Sequence, residues 1–447
     1  MSLISYFRTS APARDKVPAS EIGARYRKLR NRTFVGVCAG YSLYYVCRMV
    51  LSIVKQPLID EGVLSAGQLG IIGSAMLLIY AIGKFVSGFI ADYCNIRRFM
   101  AVGLAVSAAI NLLMGLLGFV DFRTGTIMFV AFALLWGLNG WAQSMGSPPG
   151  VISLSRWFPL NRRGTFYTIF SATPYVGKFL TFISIGFVVG ALGWQGGFFF
   201  SALAGLVGVI LIIFLVSDTP ESKGLPPVQE IAGEKPQKTD SMPIKKLQSM
   251  VIRHPGIWVI ALSSAFIYIT QYAVSGWGVL FLQKAKAFSL ESSTQIIAFS
   301  EAFGVAGTVC AGWLSDVVFR GNRVRPVVIS GLLCLASLAL FLFTRGGYAA
   351  NIFYVSMFSL AIGILFCIVT GLMALDIVPR RATGAALGIV GISSYVAASI
   401  QDVASGYLIQ FFSAGDVYNF MPVSIFWVAA CVISILLPII GWNRLRP

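Results

Sequence analysis

Long apolar runs separated by short polar breaks make up most of the chain. Stretches at about 33–53, 67–91, 99–120, 125–146, 164–191, 194–217, 255–283, 292–315, 326–344, 350–375, 382–411 and 418–442 are each long enough to cross a hydrocarbon layer of ~30 Å as a helix. They predict an all-α membrane protein with twelve transmembrane helices. Residues 1–32 read as a polar, basic N-terminal tail with no apolar core, so no cleaved signal is expected, and residues 444–447 read as a short C-terminal tail.

The pattern repeats internally. Gly88-Phe89-Ile90-Ala91-Asp92 leads to Arg97 and Arg98, and Gly312-Trp313-Leu314-Ser315-Asp316 leads to Arg320 and Arg323. A second echo pairs Pro159, Arg162, Arg163 and Gly164 with Pro379, Arg380, Arg381 and Gly384. Two six-helix halves are expected, at 33–217 and 255–443. Between them, 218–254 carries Pro220, Pro226, Pro227, Pro236 and Pro243 and reads as a linker with one short surface helix.

Composition supports this picture. The 447 residues are 57% hydrophobic and 11% charged with a mean hydropathy of +0.80, whereas soluble domains carry about 25% charged residues. Most of the 34 Lys and Arg fall in the two tails and in the loops after spans 2, 4, 6, 8 and 10. Under the positive-inside tendency this predicts a multi-pass membrane protein with both termini cytoplasmic. Contact with anionic lipid headgroups accounts for the net charge of +17, and no nucleic-acid partner is called for. The cysteines Cys38, Cys47, Cys94, Cys310, Cys334, Cys367 and Cys431 are scattered without a metal-ligand or disulfide pattern. The single histidine, His254, reads as an interfacial residue. No nucleophile elbow or Walker loop occurs, so neither an enzyme nor a cofactor is expected.

Charges inside the spans are the candidate chemistry. Arg48 follows Tyr41 and Tyr45 at helical spacing in an apolar helix, placing two phenols and a planar guanidinium on one face. That combination suits phosphate or carboxylate. Lys84 lies one turn from Tyr80 in the second span, and Lys178 interrupts the fifth. Asp402 in the eleventh span is expected to pair with Lys178 or Lys84, to take part in proton coupling, or to sit in a wet vestibule.

Together the motifs resemble the organophosphate:phosphate antiporter family of the major facilitator superfamily. They are Tyr-x-x-Tyr-Tyr-x-x-Arg at 41–48, Gly-Lys-Phe-Val-Ser-Gly at 83–88, Gly-Trp-Ala-Gln-Ser-Met-Gly-x-Pro-Pro at 140–149 and Gly-Trp-Leu-Ser-Asp-x-x-Phe-Arg-Gly-Asn-Arg at 312–323. The resemblance implies Arg48 as a phosphate-binding arginine, Lys84 as a pore lysine and Glu301 as a charge-balancing acid. It implies cavity positions at Tyr41, Tyr45, Tyr80, Gln143, Tyr268 and Tyr395. It also implies a cytoplasmic latch of Asp92 with Arg97 and Arg98, and of Asp316 with Arg320 and Arg323.

Departures are equally specific. Gln271 stands where the family has a second arginine, Pro174 where it has a histidine, and Ser147, Phe170, Ser171 and Cys367 at aromatic or polar cavity positions. A lysine and its partner acid are replaced together by Met49 and Gly276. Lys178, one turn beyond Pro174, is expected to restore a second cation. The leading expectation is a monomeric alternating-access carrier of a small anionic organophosphate exchanged for inorganic phosphate. A proton-coupled carrier of a polycarboxylate or citrate-like chelate, and a transporter-like membrane sensor of sugar phosphate, remain open.

Overall fold

The computed structural model describes residues 3–120, 125–233, 244–320, 322–377, 383–413 and 417–445. The long helices are α1 (Ile22–Asp60), α2 (Ala66–Ala91), α3 (Ile96–Leu117), α4 (Gly125–Ser144), α5 (Ser147–Trp157), α6 (Leu160–Leu215), α7 (Pro255–Lys286), α8 (Leu290–Trp313), α9 (Val324–Phe343), α10 (Tyr348–Leu365), α11 (Thr383–Phe412) and α12 (Met421–Leu445). Local chemistry sets several of their starts. Ser65 and Gln68 form a capping box on α2, Asn95 caps α3, Ser289 caps α8, and His254 caps α7 ahead of Pro255. His254 Nδ1 accepts from the Gly256 amide at 3.1 Å, which gives the lone histidine a capping role.

Among the described residues eleven helical stretches are long and apolar enough to cross a membrane, the one ending in α5 including α4. One of them, α6, has 56 residues, about twice what a bilayer needs. It is bent at Gly193, whose φ of 70° is open to glycine but strained for other residues, so it supplies the fifth and sixth passages. Trp194, just past the bend, donates from Nε1 to Glu61 at 2.9 Å and ties the bend to the end of α1.

The first helix corrects the predicted boundary. It does not stop near residue 53 but continues through Lys55 and Pro57 to Asp60. Lys55, which lies past the predicted end of the first span, is therefore a buried helical residue at 2% exposure.

In the N-terminal half α1 and α3 pack on α6, and α2 on α4; in the C-terminal half α8 packs on α10, α7 on α11 and α12, and α9 on α10 and α12. Among the described residues the halves meet chiefly where α1 packs on α7, α2 on α11, and α6 on α8. Large apolar side chains such as Phe187, Leu192, Phe214, Phe353 and Phe411 face outward, as a lipid environment requires, while charged residues of the spans are turned inward.

Residues 8–17 meet the α2–α3 turn and residues 218–224 on one face, the terminal face. Polar contacts join the halves from mid-height to the opposite, far face. They include Ser74 with Ser399, the Gly67 amide with Gln410, and Lys284 with Asp60. These contacts hold the two halves together on the far-face side.

On the terminal face Asp218 fastens three segments. Its carboxylate accepts from the Ser10 amide at 2.7 Å and the Ile96 amide at 3.0 Å, and pairs with Arg156 at 2.6 Å. Arg156 also donates to the carbonyls of Asp92 and Cys94. Replacing Asp218 with asparagine keeps an acceptor but removes the counter-charge of a nearly buried arginine, which should cost about 2 kcal/mol. Thermal unfolding of the purified protein should show a lower midpoint than a Glu221→Gln control; equal midpoints would contradict this role.

Candidate functional site

Arg48 sits at mid-height where α1 meets α2, α7 and α11. It is 4% exposed. Helical spacing along α1 turns Arg48 and Tyr45 toward the seam between the halves. The guanidinium carbon lies 4.2 Å from the centre of the Tyr80 ring, 5.4 Å from Tyr45 and 5.6 Å from Tyr395. Its Nη2 donates to the Tyr272 hydroxyl at 2.9 Å. Among the described residues no carboxylate lies within 4 Å of it. Three ring faces and a phenol thus hold a cation whose charge is not neutralised.

Lys84 extends the cationic region. Its ammonium lies 5.2 Å from the Tyr395 ring centre and 5.9 Å from Tyr80, and no ion pair is made with it among the described residues. Tyr395 and Tyr80 pack edge to face at 4.7 Å, and Tyr268 continues the cluster against Tyr395, Tyr272 and Phe366. The structure therefore brings Arg48, Lys84, Tyr45, Tyr80, Tyr268 and Tyr395 into one site. Tyr272 belongs to it as well, though it was not singled out from the sequence. Its spacing of one turn from Tyr268 was the available signal.

Other candidates lie elsewhere. Tyr41 stacks on Phe170 and meets Tyr45 edge to face, so it supports the site from one step away. Gln143 is a correction. Its amide donates to the Tyr44 carbonyl and the Ser107 hydroxyl, and it is spent on packing inside the N-terminal half rather than on the cavity. Gln271 is half-buried on α7, its carbonyl accepting from Ser275.

The expected second cation is also corrected. Lys178 is buried and paired with Glu301 at 2.6 Å, across the α6–α8 seam, with its ammonium 4.5 Å from the Tyr175 ring centre. An ammonium already matched by a carboxylate adds little pull on an anion in this state. Asp402 pairs with neither Lys178 nor Lys84. Its partners are Lys55 at 3.5 Å and the Trp277 indole at 2.5 Å. The cavity beside Arg48 is lined by Met49, Ser52, Lys55, Gly276 and Asp402.

The latch pairing expected in the N-terminal half is not formed among the described residues. Asp92 is exposed and makes no ion pair with Arg97 or Arg98, because Arg98 reaches the Tyr6 carbonyl at 2.7 Å and lies over the Tyr6 ring. Arg323 pairs with Asp376 at 2.8 Å and donates to Ser315. Arg320 is exposed. The side chain of Asp316, and Pro379, Arg380 and Arg381, lie outside the described residues.

Residues 37–401 match the Major Facilitator Superfamily. The chain belongs to that superfamily. It is 30% identical to the glycerol-3-phosphate transporter of Bacillus subtilis, covering 97% of each chain. It is likewise 30% identical to a probable hexose phosphate transport protein of Chlamydia pneumoniae, covering 94% of this chain and 92% of that one. A bacterial homologue of the human lysosomal transporter Spinster, crystallised inward-facing and occupied, superposes with a TM-score of 0.71 at 15% identity, covering 93% of this chain and 97% of that one. The resemblance read from the motifs is borne out, and a transporter rather than an enzyme is the class.

The Lys178–Glu301 pair gives a direct check on the site. Lys178→Met and Glu301→Gln should each destabilise the protein by about 3 kcal/mol because each strands a buried charge, and the double variant should cost less than either single. Thermal unfolding of the four proteins measures this, and additive losses would contradict the pairing.

Proposed function

We propose that this protein is a secondary active transporter of small organophosphates of the glycerol phosphate or sugar phosphate class, exchanging them for inorganic phosphate by alternating access. Its membrane is the inner membrane of a bacterium, with the terminal face toward the cytoplasm. Residues 33–217 and 255–443 are the two rocking bodies, 218–254 joins them, and 1–32 and 444–447 are tails. The relatives named for glycerol-3-phosphate and hexose phosphate transport support the substrate class. One observation carries the reading on the protein itself: Arg48 is buried at the seam with no carboxylate beside it among the described residues.

A phosphate oxyanion completes such a site. The guanidinium offers two parallel N–H donors to two phosphate oxygens, and Lys84 adds a second positive charge on the terminal side. The tyrosines present hydroxyls to the remaining oxygens and ring faces to the organic part. Bound phosphate neutralises the cations, which lowers the cost of closing the halves around them in a low-dielectric interior. The halves then rock, and the site faces the other side. An exchange partner is needed because the empty site keeps its uncompensated charge.

Counterflow in proteoliposomes preloaded with phosphate tests this. The wild type should take up labelled glycerol-3-phosphate or glucose-6-phosphate, while Arg48→Ala should lose on the order of a hundredfold in uptake, the equivalent of about 3 kcal/mol in charged hydrogen bonds. Uptake that survives in a correctly inserted Arg48→Ala protein would contradict the reading. Uptake of polycarboxylates under a proton gradient, with none of phosphate esters, would favour a carboxylate carrier. Gln271→Arg should raise preference for phosphate esters over inorganic phosphate in competition assays, and unchanged preference would remove Gln271 from the site.

A further inference from the structure

Lys55 and Asp402 form a buried ion pair across the seam, between α1 of one half and α11 of the other, on the far-face side of Arg48. A third residue belongs with them. Trp277, on α7, donates its indole N–H to the same carboxylate oxygen, and the Lys55 ammonium lies 3.3 Å from the Trp277 ring centre. The backbone leaves room for the acid only because α2 carries glycine there. A Cβ built on Gly73 would overlap Asp402 Oδ2, and one on Gly70 would come within 2.6 Å of the Asp402 carbonyl. Lys55 lines the cavity beside Arg48, but neither it nor Trp277 is among the groups that hold the guanidinium.

From this geometry we infer that Lys55, Asp402 and Trp277 are the latch that holds the far face shut and must part once in every transport cycle. The pair is divided unequally between the moving bodies. Asp402 and Trp277 both ride on the C-terminal half, so their hydrogen bond survives when the halves separate. Lys55 rides on the N-terminal half and leaves alone. The carboxylate therefore keeps one donor in both states, and only the ammonium needs water, which enters with the opening itself. Such a division limits the desolvation cost that would otherwise lock a buried ion pair. In the closed state Lys55 regains a counter-charge and a ring face, which sets the balance between the two ends of the cycle. Met49 and Gly276 line the same cavity without contributing charge, so no other ion pair lies beside it among the cavity-lining residues.

The inference rests on the proposed rocking of the halves, but its test needs no substrate. Ser52, half-buried on the cavity wall, is replaced by cysteine in a chain whose unburied cysteines Cys38, Cys310 and Cys367 have been changed to alanine. A membrane-impermeant maleimide is then added to oriented vesicles from one face at a time. Neutralising both partners with Lys55→Met and Asp402→Asn should raise labelling from the far face about tenfold and lower it from the terminal face, as a population shift requires. Gly73→Ala leaves both charges but displaces the carboxylate, and should act in the same direction; Trp277→Phe should have a smaller effect. The charge exchange Lys55→Asp with Asp402→Lys should return labelling toward the wild-type rate. Wild-type labelling in the doubly neutral protein would overturn the latch, and so would faster labelling from both faces at once, which marks a loosened fold. A protein that labels as expected but fails in counterflow would keep the latch and lose the substrate.

Discussion

A guanidinium buried between two bundles of helices without a carboxylate partner is the constraint on which the rest of the structure depends. Placing such a charge in a membrane-spanning helix costs about 3 kcal/mol even on the mildest scales, and the site offsets this with polarisable rings and one phenol instead of an acid. Tyr45, Tyr80 and Tyr395 surround Arg48, and Tyr272 receives its hydrogen bond. An acid in place of these aromatics would neutralise the arginine more cheaply but leave nothing for an anion to do. The tyrosine-rich surroundings hold the charge in place while leaving it available.

The other buried charges at the seam follow the opposite rule. Lys178 is matched by Glu301 and Lys55 by Asp402, each pair crossing the seam. These pairs stitch the halves at mid-height and toward the far face, while Arg48 and Lys84 stay unmatched between them. The seam thus contains two kinds of cation, one kind spent on joining the halves and one kind kept for a ligand. Small residues make the stitching possible, because α2 and α11 approach closely enough at Gly70 and Gly73 for a carboxylate to fit beneath the α2 backbone.

Much of this could be read from the residues alone. Apolar run lengths determine the passages well, because a bilayer sets helix length almost regardless of sequence detail. Arg48, Lys84 and the tyrosines around them announce themselves as polar groups at helical spacing in apolar surroundings. What could not be read were the pairings across the seam. Periodicity gives the face of a side chain on its own helix but not which residue of another helix meets it, so Lys178 looked free although Glu301 answers it. Lys55 was hidden for a different reason. The run Lys55-Gln56-Pro57 resembles a loop by composition, yet tertiary packing carries α1 on to Asp60. Gln143 shows the converse, a polar residue in a pore-like motif that is used to bind the Tyr44 carbonyl and Ser107 within one half.

The most direct test of the uncompensated arginine is an experimental structure of the protein with glycerol-3-phosphate or inorganic phosphate bound. A phosphate within hydrogen-bonding distance of Arg48, with Lys178 still paired to Glu301, is the result this account predicts. A phosphate seated on Lys178 with Glu301 displaced, and Arg48 left against its tyrosines, would contradict it.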